Sequence, residues 1–269
     1  EVVVTPRTFI ASSSAIVNAG AMPVFADVDS NSQNITPETV REVLSPKTKA
    51  IVCVHLAGWP CDMDGFIELA QEYDLKIIED CAQAHGSRYQ GNSSEQRSVG
   101  SIGHIGAWSF CQDKIMTTGG EGGMVTTNDK QLWEKMWSYK DHGKSFDSVY
   151  NREHPPGFRW LHESFGTNWR LTEMQSAIGR IQLNRMPEWA SARTNNAKAI
   201  AEVCRKFPFL RVPEIPDYIK HAYYKFYVFV KPELLPEGVT RDSVIEVFNE
   251  VSIPCMQGSC SEVYLEKAF

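Results

Sequence analysis

With 269 residues, 42% of them hydrophobic, and a net charge of −6, the chain can bury a large core, expected as one domain with a smaller companion. No basic block is present, which argues against nucleic acid or an anionic membrane as the main partner. The seven cysteines are scattered, odd in number and without a CxxC pair, so neither a disulfide framework nor a zinc site is indicated, and no metal is expected. No apolar run approaches the roughly 20 residues needed to cross a bilayer, and no signal peptide is expected. A cytoplasmic enzyme fits these bounds.

Residues 1–4 (EVVV) read as a buried strand with no entry segment before it, and residues 264–269 stop inside a helix-like pattern. Both ends are therefore expected to be cut. Residues 5–9 form a turn, 10–18 a helix stopped by Gly20, and 23–27 a strand. Thr36 is a good N-cap, with Pro37 at the first helical position and Glu38 behind it, for a helix to residue 44. Residues 50–55 are apolar, 62–73 have helical spacing, and 75–79 (LKIIE) form a strand that ends at Asp80. Strands alternating with helices at this spacing imply a largely parallel sheet with both faces covered. In such sheets a ligand sits at the carboxyl ends of the strands.

Residues 86–103 are polar and Gly-rich and read as an uninformative surface loop. Residues 105–110 and 124–127 read as two buried strands, followed by a helix over 131–140. The stretch 145–166 is long, irregular and rich in aromatic, Pro and His residues, the kind of segment that carries function or an interface. Two helices are expected over 172–185 and 188–207, then a strand over 223–230 and a helix over 241–250. The fold class is α/β, with a mostly parallel sheet flanked by helices in residues 1–190 and a smaller α+β unit in 191–269.

The chemistry centres on GAWSFCQDKIMTTGGEGGMVTT, residues 106–127, where Lys114 stands at the turn between two apolar runs. Burial lowers a lysine's pKa, and a lysine that loses its proton becomes a nucleophile. On its own, a loop lysine reads as solvated. Asp80, in DCAQ, follows a strand of apolar interior and so carries a desolvation cost unless something positive faces it. Alone it reads as a helix N-cap or a turn aspartate. Together the two residues fit another account: pyridoxal 5'-phosphate needs a lysine to bond its carbonyl and an aspartate to keep its ring nitrogen protonated.

The segments TPRTFIASSSAIVNAG, PVFADVD, EDCAQAHG, WSFCQDK, TTGGEGGMV and FGTNWRLTEMQSAIGRIQL resemble, in order, the DegT/DnrJ/EryC1/StrS family. The resemblance implies the fold type I architecture of the aspartate aminotransferase superfamily and pyridoxal phosphate as cofactor. It implies that Lys114 is the Schiff-base lysine and proton shuttle, and that Asp80 is the partner of the pyridine nitrogen. By the same resemblance Gln83 donates to the ring hydroxyl, Ser109 binds the phosphate, and Phe9 covers the ring face, although Phe9 reads equally as ordinary core. Asn168 matches an asparagine that reaches the neighbouring subunit's cofactor, which implies a homodimer with shared sites, and Arg170 helps to position that segment. His85, His142 and His221 lie in segments similar to active-site surroundings, each with a structural reading beside it.

The implied reaction is a ping-pong transfer of an amino group from an amino acid, L-glutamate leaving as 2-oxoglutarate, to a nucleotide-linked keto-sugar. Its place is amino-sugar biosynthesis for surface polysaccharides or antibiotics. Two departures stand out: nothing matches the family's Ser-Gly-Thr phosphate-binding segment, and TTGGEGG has an extra glycine found only in some members. The part near the substrate at the C-terminal end is also expected to be missing. Related dehydratases carry histidine where Lys114 stands, which argues against that chemistry. A synthase acting on a cyclic keto-acid and a non-catalytic relative of the fold remain as alternatives. A phosphate-loop nucleotide binder lacks its GxxxxGK[ST] motif.

Overall fold

The computed structural model describes every residue except Phe158 and Ser261, so part of the irregular 145–166 stretch lies outside the described residues. Six short strands build the central sheet: β1 (Val2–Val4), β2 (Pro23–Phe25), β3 (Ala50–Val54), β4 (Lys76–Asp80), β7 (Ile105–Ser109) and β8 (Gly123–Thr126). Their order is β2-β1-β3-β4-β7-β8, and every neighbouring pair is parallel except β7 with β8. Helices α1 (Ala11–Asn18), α2 (Pro37–Arg41) and α3 (Met63–Tyr73) connect the parallel strands. In α2 the Thr36 hydroxyl accepts from the Thr39 amide and Thr39 reciprocates, with Pro37 in the first turn, as the cap sequence predicts.

Alternation along the strands sorts the core into two layers. Val3, Ile51, Cys53 and Ile77 face α3 through Met63, Phe66 and Leu69, while Val4, Val52 and Val54 pack with Ile16 of α1. A sheet covered on both faces needs near-continuous apolar strands, which is what VVV and AIVCV supply. At the end of the sheet, β8 differs from its expected burial: it is an antiparallel edge strand with Met124 and Val125 about half exposed.

The loop over 86–103 is more than an uninformative surface. It contains β5 (Arg88–Tyr89) and β6 (Arg97–Ser98), which pair with β10 (Ile219–Lys220) in a three-stranded sheet. The amides of Gly100, Ile102 and Gly103 all donate to the buried Glu79 carboxylate, at 2.7, 2.8 and 2.6 Å. His55 Nε2 completes the set at 3.0 Å, and His55 Nδ1 accepts from the Cys61 amide at 3.0 Å. The acceptor role of Nδ1 places the ring proton on Nε2, so the imidazole donates to Glu79. Burial would raise the Glu79 carboxyl, but the His55 bond and the amides of Gly100 and Gly103 overcome it and hold it below the usual carboxylate range.

A second difference concerns the C-terminal half, after α4 (Lys130–Lys140) and α5 (Phe146–Tyr150). One 32-residue helix, α6 (Glu173–Cys204), replaces the two expected, and Pro187 lies inside it. Proline removes one helical hydrogen bond and normally breaks a helix. Here Met186 and Trp189, on either side of Pro187, pack on Phe110, Ile115, Met116 and Ala222, and this contact holds the two halves in line. The helix runs unbroken through residue 190, so the proposed units 1–190 and 191–269 share it as their joint. The strand expected over 223–230 shortens to β11 (Phe229–Val230), paired with β9 (Leu210–Arg211), and α7 (Arg241–Glu250) follows. Among the described residues, no helix is long and apolar enough to cross a membrane.

Replacing Glu79 by Ala strands three amides and one imidazole N–H in the interior. The unfolding free energy is expected to fall by about 3–5 kcal/mol, measured by urea denaturation; a loss under about 1 kcal/mol would remove the hub from its structural role.

Candidate active site

Asp80 closes β4 and Ser109 closes β7, and these parallel neighbours are in register with Asp80 opposite Ala107. Both residues therefore leave the sheet at the same, carboxyl end. From Ser109 the chain turns tightly, with the Lys114 amide donating to Cys111 O at 3.0 Å. It returns under the Thr117 hydroxyl and the Thr118 amide, both of which donate to Phe110 O. Gly122 makes this return possible: a Cβ there would lie 2.3 Å from Thr118 Oγ1. The fold thus delivers Lys114 to the strand end where Asp80 stands.

No cation among the described residues pairs with Asp80, which leaves it open to a positive group from a ligand. The Ser12 hydroxyl donates to its Oδ2 at 2.8 Å and the Ala82 amide to its Oδ1 at 3.1 Å. Thr8 stands 2.9 Å behind Ser12. A carboxylate has room for about four hydrogen bonds, so Asp80 keeps acceptor capacity on a half-buried oxygen pair. Gln83 takes the Ala57 amide on its Oε1 at 2.7 Å, which leaves its NH2 group as a donor. Ser109 Oγ accepts from the Cys111 amide at 3.3 Å and has its own proton to give. Phe9 is 70% exposed on the loop that carries Thr8, so it is not core.

Lys114 has its side chain only 16% exposed, with Nζ 3.5 Å from Asp113 Oδ1 and 5.1 Å from the centre of the Tyr224 ring. His85 packs against Trp108 and Phe110, at ring separations of 5.3 and 5.9 Å. Both of its ring nitrogens are buried and without a hydrogen bond among the described residues. Burial pushes His85 down to about 4; the Lys114 charge acts the same way and the Ser109 main chain opposes it. A neutral imidazole therefore lines the strand end beneath Lys114 and Ser109.

Four expected residues lie in other surroundings. Arg170 Nε donates to Asn168 Oδ1 at 3.0 Å and lies 3.6 Å from Asp141, whose main chain bridges to Asn168. His142, at φ 60°, gives its amide to Thr167 O in the same cluster. These three side chains are exposed, and no contact joins them to Asp80 or Lys114 among the described residues. His221 is buried against Trp59 and Tyr223, accepts the Tyr223 amide on Nδ1, and is pushed by burial down to about 3. It forms part of the wall of a cavity of about 230 Å³ between Trp59, Ala201 and Phe229. Ser12, Asp113 and Tyr224 were given no role by the sequence: they matter through partners 68, 1 and 111 positions away.

The DegT/DnrJ/EryC1/StrS aminotransferase family model matches residues 1–260. The chain belongs to that family. GDP-perosamine synthase of Escherichia coli O157:H7 is 39% identical over 206 residues, which cover 77% of this chain and 51% of that protein. An aminotransferase from Psychrobacter cryohalolentis superposes with a TM-score of 0.96 at 63% identity, covering all of this chain and 69% of that one. DesV of S. venezuelae, solved in complex with a ketimine intermediate, superposes at 0.85 with 31% identity, covering 99% of this chain and 65% of that one. The chain spans 64%, 62% and 51% of the length of three curated relatives it matches.

The DegT/DnrJ/EryC1/StrS aminotransferases depend on pyridoxal phosphate and share the fold type I sheet described above. The free valences at the strand end match that cofactor: an acceptor on Asp80, donors on Gln83 and Ser109, and an amine on Lys114.

Histidines kept neutral by burial lose stability in acid. His85 and His221 have folded values below the ordinary 6.5, so their contribution is complete above 6.5 and is lost as pH falls toward about 4 and about 3. Glu79 acts in the same direction below the carboxylate range. His85→Gln is expected to remove roughly 3 kcal/mol of the acid-side slope between pH 6.5 and 4, read from denaturation midpoints as a function of pH; an unchanged slope would contradict the neutral assignment.

Proposed function

We propose that this protein is a pyridoxal phosphate-dependent aminotransferase. It moves an amino group from an amino acid, L-glutamate, to a nucleotide-linked keto-sugar in amino-sugar biosynthesis, and it works in the cytoplasm. The observation that carries the reading is the donor set at one strand end. Asp80, Gln83, Ser109 and Lys114 each keep the valence the cofactor requires, and each is held by a hydrogen bond or ion pair to its own neighbour.

When bound, pyridoxal phosphate supplies a carbonyl that condenses with amines and a ring that accepts electrons from the substrate carbon. Asp80, oriented by Ser12 and Ala82, would accept the N–H of the protonated ring nitrogen. Gln83, fixed through Ala57, would donate from its side-chain amide to the ring oxygen. Ser109 would donate its hydroxyl to the phosphate, and Phe9 would cover the ring face. Lys114 would supply the amine that bonds the carbonyl and, when free of it, the general base and acid that moves the proton. The GDP-perosamine synthase relative supports the sugar substrate.

Asn168 and Arg170 belong to this reading as groups offered to a second subunit. They stand on the surface beside exposed apolar residues, Phe165, Trp169, Met174 and Ile181, an arrangement suited to a homodimer interface. His142 lies at the same rim, and His221 lines the substrate side through the 56–59 turn. A dilution series of the full-length protein is expected to lower specific activity as dimers separate; a fully active monomer would end the shared-site assignment.

Lys114→Ala in the full-length protein is expected to cut transamination by at least about 10²–10⁴-fold. It should also abolish the covalent adduct that borohydride reduction traps with pyridoxal phosphate, read by intact mass. Appreciable turnover in that variant overturns the assignment.

A further inference from the structure

We propose that Tyr224 is a positioning residue: its hydroxyl fixes Asp113, its ring carries the Lys114 amine, and its main chain ties both to the turn that holds Gln83. The proposal rests on the cofactor reading above and adds to it a residue from the far end of the chain.

The contacts form a closed circuit. The Tyr224 hydroxyl donates to Asp113 Oδ2 at 2.6 Å, and Asp113 Oδ1 faces Lys114 Nζ at 3.5 Å. The same amine lies over the Tyr224 ring, 5.1 Å from its centre, within cation–π range. The Tyr224 amide donates to Ala57 O at 2.9 Å, and the Ala57 amide donates to Gln83 Oε1 at 2.7 Å. Arg193 of α6 holds the preceding carbonyl, Tyr223 O, at 3.1 Å. Tyr224 therefore spans the strand end from the Gln83 side to the Lys114 side.

Asp113 has its side chain 58% exposed, and an exposed carboxylate holds an amine weakly and with several rotamers available. The bond from Tyr224 removes that freedom. The donor role also fits the charge balance: Asp113 is held below the usual carboxylate range, first by the Tyr224 hydrogen bond, and the Tyr224 phenol is raised by burial and by Asp113. The other charged or titratable groups around the circuit are Lys225, 5.0 Å from the centre of the same ring, Cys111 and Glu121 on the 109–123 loop, and neutral His85. Lys225 repels the Lys114 charge, and Asp113 is the only carboxylate paired with that amine among the described residues.

In a transamination, Lys114 spends part of each cycle unbonded to the cofactor and must then return to the same carbon. A four-carbon side chain left free would lose its orientation to solvent. The Asp113–Tyr224 bracket keeps the amine at the strand end during that interval, so it acts on the return of Lys114 rather than on substrate binding.

The test uses the full-length protein and three variants: Tyr224→Phe, which keeps the ring and loses the hydroxyl, Asp113→Asn, and the double variant. Pyridoxal phosphate is added to the stripped protein, and covalent attachment at Lys114 is followed by absorbance and by borohydride trapping. Each single variant is expected to slow attachment on the order of ten- to a hundredfold, the effect of one hydrogen bond to a charged group. The double variant should be no slower than the worse single one. The KM for the amino donor should stay within about twofold while kcat falls with the attachment rate. Wild-type attachment rates in both single variants, or fully additive losses in the double one, overturn this assignment alone. No attachment in the wild type overturns the cofactor reading and this proposal with it.

Discussion

Four polar groups meet around one carboxylate inside the sheet. Glu79 accepts from Gly100, Ile102, Gly103 and His55, and His55 in turn takes the Cys61 amide. Each of these groups would be costly to bury alone. Together they fasten the 55–61 turn and the 100–103 loop to the last residues of β4. Cys81 joins His55 and Glu79 with ligand atoms within 4.8 Å of one another. The histidine nitrogens and both carboxylate oxygens already have hydrogen-bond partners, which makes the cluster a fastener rather than a set of open metal ligands. The loops of the candidate site inherit their positions from it: Ala57, which holds Gln83, sits on one fastened turn.

Consecutive residues on a strand point to opposite sides of the sheet, and Glu79 and Asp80 use that rule to divide two tasks. Glu79 turns toward a dry interior and is saturated with donors. Asp80 turns toward the strand end and is met by only one hydroxyl and one amide. The first carboxylate has no valence to spare and builds structure; the second keeps capacity for a ligand. Environment, not residue type, separates the roles.

The same division appears around the amines. Lys225 and Lys114 both lie near one ring, yet among the described residues only Lys114 of the two pairs with a carboxylate, and that carboxylate is oriented by a tyrosine from the C-terminal half. The candidate site is therefore assembled from both halves of the chain, joined through α6. Packing of Met186 and Trp189 across Pro187 keeps that joint rigid where local propensity would break it.

The sequence by itself determined the alternation of strands and helices and the parallel sheet, and it singled out Asp80, Gln83, Ser109 and Lys114 as candidates, because apolar period, cap residues and family motifs are all local in the chain. It could not show that 86–103 anchors the sheet, since three amides carry that role and an amide has no side-chain signature. Nor could it show that β8 is an exposed edge or that one helix crosses Pro187, since neighbours far in sequence decide burial and override propensity. The partners of the site residues, Ser12 for Asp80, Ala57 for Gln83 and Tyr224 for Lys114, were decided only by the tertiary structure. A hydrogen bond between residues 111 positions apart has no local pattern; it exists because the fold closes the chain back onto the carboxyl end of its own sheet.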